Sequence, residues 1–153
     1  MIDTPTITQV PAQRTATIHL EIPGMDMPKH MDPAIQEIMR VLSEQGVQPN
    51  GPMFTYHHRM PNETFDFEVG FPVDAVIQPS GRVKPSELPA AKVARTIHHG
   101  PYEGLHGAWT AFGAWVKENG LDTEPRFFER YLGDPSQQDP SEYRTEINRI
   151  LRS

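Results

Sequence analysis

The 153-residue chain contains no cysteine. That excludes a disulfide framework, a thiolate nucleophile and any zinc site built on sulfur. Basic residues are scarce, 14 Lys and Arg against 20 Asp and Glu, and the formal net charge is −6. No Lys/Arg cluster opposes a phosphate backbone, so direct nucleic-acid binding is not expected. Cationic ligands and basic protein partners suit this charge. No apolar run reaches the length that spans a bilayer. Met1 to Val10 lacks the basic start and apolar stretch of a signal peptide. A cytoplasmic protein without a membrane partner is expected. There is no glycine-rich phosphate loop and no serine in a nucleophile elbow, and no cofactor is expected. What the chain has in quantity is proline, 16 residues that fall between periodic segments and punctuate them.

Those segments can be taken in order. Gln13 to Ile22 predicts a strand with Ala16, Ile18, Leu20 and Ile22 on one face. The loop after Pro23-Gly24 holds Met25, Met27 and Met31, either an adaptable lid over apolar ligands or side chains packed beneath the loop. Asp32-Pro33 predicts a helix start, with Ile35, Ile38, Met39 and Leu42 on one face and a stop at Gly46. Met53 to Arg59 and Thr64 to Phe71 predict a hairpin turning at Pro61-Asn62-Glu63. Pro72 to Pro89 reads as a small hairpin or a linker. Lys92 to His99 predicts a strand. Leu105, Ala108, Trp109, Phe112 and Trp115 or Val116 predict a helix ended by Gly120. Arg126 to Leu132 and Glu142 to Leu151 predict two closing strands, joined by a polar loop that begins Gly133-Asp134-Pro135.

The order strand, helix, strand, strand is thus written twice, with short echoes such as Thr17-Ile18-His19 and Thr96-Ile97-His98. The expected fold is α+β, one domain over residues 1–153 made of pseudo-repeats at about 10–75 and 88–152. Each repeat is expected to form its own antiparallel sheet with one long helix. The two would pack about a pseudo-twofold axis and leave a groove between them, a common location for ligand sites.

The strand Arg126 to Leu132 carries the chemistry. Alternation puts Phe127, Glu129 and Tyr131 on one face, a lone carboxylate between two rings. A carboxylate in an apolar setting is costly unless a partner or a ligand supplies the missing contact. Shielded from water, it attracts a cation more strongly, and aromatic faces add cation–π attraction. The same burial raises its pKa, which suits general acid or base chemistry. Aligning Pro52 with Pro125 brings Phe54 and Tyr56 to the same groove. Trp109 is a further lining candidate, because its indole N–H needs a partner, whereas Phe112 reads as core. Tyr102 stands at a strand-to-helix turn, as a lining or a packing residue. His99 is placed at the groove entrance, as a donor to Glu129, or as an ordinary strand-end histidine. The neighbours His57-His58 and His98-His99 point to opposite faces of their strands, so neither pair chelates one ion and no metal site is expected.

His98-His99-Gly100-Pro101-Tyr102-Glu103-Gly104-Leu105, Trp109 and Trp115, Glu129-Arg130-Tyr131-Leu132-Gly133-Asp134-Pro135 and Thr145-Glu146-Ile147 resemble the GyrI-like small-molecule-binding domain. This is the family of the gyrase-inhibitory protein and of the effector-binding domains of AraC-type and MerR-type regulators. Pro33 to Gly46, Gly51-Pro52 to Tyr56 and Phe67-Glu68-Val69 to Pro72-Val73 match more loosely. The resemblance implies a duplicated strand-helix-strand-strand fold that takes lipophilic, often cationic compounds between its halves. It puts the family's buried acid on Glu129, the following tyrosine on Tyr131 and the Gly-Pro-Tyr tyrosine on Tyr102. No helix-turn-helix precedes the domain, so a stand-alone binding protein that sequesters or senses such compounds is expected. Two alternatives stand beside it. One is a hydrolase of cyclopropane-containing genotoxins using Glu129 and Tyr131, and the other is an interaction module inhibiting a protein partner such as DNA gyrase.

Overall fold

The computed structural model describes residues 2–60, 63–132 and 139–152, with the side chains of Met25, Met27, Pro28 and Pro140 outside that description. Among the described residues the strands are Thr6–Val10 (β1), Gln13–Pro23 (β2), Phe54–His57 (β3), Thr64–Pro72 (β4), Lys84–Leu88 (β5), Ala91–His99 (β6), Thr123–Leu132 (β7) and Arg144–Leu151 (β8). The helices are Met27–Glu44 (α1) and Leu105–Glu118 (α2). None is long and apolar enough to cross a membrane. The expected turn at Pro61-Asn62 and the motif Gly133-Asp134-Pro135 lie outside the described residues.

The two expected sheets are one. All eight strands pair antiparallel in the order β1-β6-β8-β7-β3-β4-β2-β5. The boundary expected between separate sheets is closed by β3 and β7, which pair Phe54 with Arg130, Thr55 with Glu129, Tyr56 with Phe128 and His57 with Phe127. The physical reason is that β3 and β7 would otherwise be edge strands with unpaired backbone groups, and each satisfies the other.

Connectivity forces this sheet to curl. β1 and β2 stand six places apart in it, about 29 Å if flat. Only Pro11 and Ala12 join them, a reach of about 11 Å. The same holds for β5 and β6, joined by Pro89 and Ala90. The sheet therefore bends until its two ends meet. Val10, Leu88 and Val93 then pack against Phe54, Phe128 and Ile150 in an apolar cluster on its inner face.

Both helices lie on the other face. Ala34, Ile38, Val41 and Leu42 of α1 pack on Ala16, Ile18 and Leu20 of β2 and Phe67 and Val69 of β4. Ala108, Phe112 and Val116 of α2 pack on Ala94, Ile147 and Leu151. The α1 face differs from the expected one, because Met39 is 44% exposed and Ala34 and Val41 take its place. The start also differs. The helix begins at Met27 with Pro28 in its first turn, and Pro33 lies inside it. Pro33 is on the exposed side, where solvent meets the carbonyl its missing N–H leaves free. Gly120 (φ +64°) closes α2 in the left-handed conformation, as its position predicts. Each helix sits mainly on its own flank of the sheet, with the central pair β3 and β7 running between them.

Candidate functional site

The strip between the helices is a cavity of about 1010 Å³. Its floor is the outward face of β3 and β7, and its walls include Met31 and Ile35 of α1, Leu105 and Trp109 of α2 and Phe65 of β4. The pairing of Thr55 with Glu129 sets which residues form that floor: His57 from one strand, Phe127, Glu129 and Tyr131 from the other, with Thr55 fully buried behind them.

Glu129 is 8% exposed and opens on this cavity. The indole Nε1 of Trp109 donates to its Oε2 at 2.6 Å, and the Tyr131 hydroxyl donates to its Oε1 at 2.8 Å. Thr55 Oγ1 lies 2.9 Å from the same hydroxyl, so a hydrogen-bonded chain runs from Thr55 through Tyr131 to Glu129. These donors are neutral, and no lysine or arginine pairs with Glu129 among the described residues. Burial lifts the Glu129 pKa above its ordinary 4.5, against the pull of Trp109, Tyr131 and Thr55. Burial and the adjacent Glu129 charge push the Tyr131 phenol well above 10.0, so Tyr131 remains a hydrogen-bond donor throughout the physiological range.

Aromatic rings surround the acid. Phe127 stacks on His57 at 4.3 Å between centroids and meets Trp109 edge-on at 4.8 Å. Tyr102 approaches Tyr131 edge-on at 5.9 Å and stacks on Tyr143 at 4.9 Å. Asp32 and His106 stand on the exposed rim, and no lysine or arginine lines the cavity among the described residues.

Of the residues expected to line the groove, Glu129, Tyr131, Phe127, Tyr102 and Trp109 come together around this cavity. Phe54 and Tyr56 do not. They pair with Arg130 and Phe128, point to the inner face and are buried in its apolar cluster. The repeat alignment matched them to the wrong parity, because the central strands run antiparallel and pair by register, not by repeat position. His99 is not at the entrance either. It lies on the face opposite His98 and bonds Asp3 Oδ1 at 2.9 Å. His98, on the helix side, bonds the Pro101 carbonyl at 3.0 Å. Met31 does line the cavity, whereas the side chains of Met25 and Met27 fall outside the described residues.

One residue the sequence reading missed is His57. Its ring is layered between Phe67, at 5.0 Å, and Phe127. Burial and the neighbouring His58 lower its pKa to about 3, so it joins the floor as a neutral ring. Alternation along β3 was the available signal, since His57 stands two residues from Thr55 and shares its face.

Comparison with known proteins agrees with this architecture. A family model described as the GyrI-like small molecule binding domain matches residues 3–148. The C-terminal domain of EcmrR is similar over 98% of this chain and 98% of its own, at 21% identity and TM-score 0.85. EcmrR in a DNA complex is similar at 25% identity and TM-score 0.83, and the chain spans 57% of that protein's length. SAV2435 bound to tetraphenylphosphonium is similar at 12% identity and TM-score 0.68, over 99% of this chain and 95% of its own. A hydrolase from Listeria innocua is similar at 13% identity and TM-score 0.66, over 96% of this chain and 91% of its own. No curated protein matches the sequence.

Proposed function

Since the chain belongs to the GyrI-like small molecule binding domain family, we propose that it binds lipophilic cations between its two helices, with Glu129 as their counter-charge. One observation carries this reading: a carboxylate almost wholly buried among rings, with neutral donors for company and no basic side chain lining the cavity among the described residues. A buried charge without an opposite charge is costly to the empty protein, and an entering cation offsets that cost. The faces of Trp109, Tyr102 and Phe127 add cation–π attraction, and Asp32 on the rim favours the same sign of ligand. The volume suits a bulky aromatic ion, such as the tetraphenylphosphonium bound by SAV2435. Two halves derived from one duplicated unit are included in the proposal. The sheet order supports it, since it places β3 beside β7 and then β4 and β8, β2 and β6, β5 and β1 at matched distances from the centre.

The test is titration with tetraphenylphosphonium and with triphenylphosphine oxide as a neutral analogue of similar shape. Trp109 supplies the signal, through quenching of its emission in a Trp115→Phe background. Glu129→Gln is expected to weaken the cation at least tenfold and leave the neutral compound within twofold. Equal loss for both, or none for either, sinks the role of the charge. A second reading, hydrolysis with Glu129 as base and Tyr131 as proton donor, is favoured by the 2.8 Å contact between them and by the likeness to the Listeria innocua hydrolase. The same pair of proteins decides it. Hydrolysis requires ring opening of a strained cyclopropane electrophile above the buffer rate, abolished in Glu129→Gln.

A further inference from the structure

On the inner face of the sheet, away from the cavity, lies a second cluster of chemically capable side chains. Strand β4 presents Asp66 and Glu68 two residues apart on that face. His19 comes from β2 on one side, directly across from Glu68. His58, the residue just after β3, comes from the other side, its backbone N–H bonded to the Asp66 carbonyl at 2.9 Å. His19 Nε2 meets Asp66 Oδ1 at 2.5 Å, and His58 Nε2 meets Glu68 Oε2 at 2.7 Å. The two imidazoles stack at 5.2 Å, with their planes 9° apart. One ligand atom each from His19, His58 and Asp66 all lie within 4.8 Å of one another.

We propose that His19, His58, Asp66 and Glu68 form a binding site for a divalent transition-metal ion, Zn²⁺ being the best fit. Two imidazole nitrogens and two carboxylate oxygens are a donor set suited to zinc, which holds such ligands at about 2.0–2.2 Å in a tetrahedron. That geometry needs donor atoms about 3.3–3.5 Å apart. His19 and His58 are half-exposed, which leaves their rings room to turn toward it. One of the carboxylates is already held in place. Glu68 is largely buried, and its other oxygen, Oε1, accepts from Thr17 Oγ1 at 3.0 Å and Ser86 Oγ at 2.5 Å. Hydroxyl donors behind a ligating carboxylate orient it toward an ion. A groove of about 510 Å³, lined by His19, His58, Glu68 and Ser86 and flanked by Arg82 and Lys84, opens on these side chains. The expectation of no metal site weighed only histidines adjacent in sequence, whereas these ligands are gathered from three strands.

The test uses untagged, chelator-treated full-length protein and calorimetric titration with ZnCl₂. One ion per chain is expected, with affinity lowered at least tenfold by His19→Ala and by His58→Ala and unchanged by His106→Ala. Co²⁺ in place of Zn²⁺ is expected to give visible d–d absorption that both substitutions abolish. Glu129→Gln is expected to leave Zn²⁺ binding intact, so failure here is distinct from failure of the cavity reading. Absence of saturable binding, or binding that survives His19→Ala/His58→Ala in protein whose circular dichroism matches wild type, overturns the proposal.

Discussion

At the scale of single residues, Glu129 sets two opposed demands. Burial raises its pKa above 4.5, so the folded state holds the proton more tightly than the unfolded chain. The stability this group contributes is therefore complete below pH 4.5 and is lost as pH rises through its folded value. At neutral pH the ionised acid is a net cost to the empty protein. Glu129→Gln removes that cost and keeps every hydrogen bond. Gln Oε1 accepts from Trp109, and Gln Nε2 donates to the Tyr131 hydroxyl, which turns to donate to Thr55. The variant is expected to be more stable at neutral pH by roughly 0.5–2 kcal/mol, as replacements at functional positions often are. Urea denaturation checks this. On the proposed reading, cation affinity has the opposite dependence, because only the ionised acid attracts. It is expected to fall on acidification with a midpoint above 4.5 in wild type and to be flat in Glu129→Gln. A flat wild-type profile would detach the ligand from this carboxyl.

At the scale of elements, the register of β4 rests on Gly70. It pairs with Thr17 of β2 and with Phe54 of β3. A Cβ built on it would lie 2.1 Å from the Ala16 carbonyl oxygen and 2.8 Å from Thr17 Cγ2. The carbonyl belongs to β2, which is paired on both sides, and cannot yield without breaking the ladder. Gly70→Ala is expected to destabilise by about 3 kcal/mol, read as a lower urea midpoint, whereas a loss under about 0.5 kcal/mol would mean the strands slide freely. Such registers explain what the sequence does and does not disclose. Period-two alternation revealed Phe127, Glu129 and Tyr131 as one face because a single strand suffices to read it. It could not say which parity of β3 faces them, since pairing with β7 is decided by tertiary contact, and so Phe54 and Tyr56 were expected where Thr55 and His57 stand. β1 and β5 were illegible for another reason. Thr6–Val10 and Lys84–Leu88 are short, mostly exposed edges, the second holding Pro85, and neither alternates. Their strand character comes from β6 and β2, which they flank.

At the scale of the molecule, the same two edge strands interlock the halves. β1 precedes the first strand-helix-strand-strand unit in the chain, yet it pairs with β6 of the second unit. β5 leads into the second unit, yet it pairs with β2 of the first. The centre is bridged by β3 and β7, and the inner apolar cluster draws Val10, Leu88, Phe54 and Phe128 from both units. Neither unit can be unfolded without stripping an edge from the other, opening the central ladder and exposing that cluster. Both tryptophans lie on α2, so indole emission follows one flank alone, while far-UV circular dichroism follows all the strands and both helices. If the sheet is one cooperative body, the two probes trace a single coincident transition in urea. If α2 and its strands were a separate fold, emission would change at its own midpoint and leave dichroism half complete. Coincidence is the expected result, and it bears on binding as well. A cavity whose floor is the seam itself keeps its shape only while both flanks hold, so a cation bound to Glu129 is expected to raise both midpoints together.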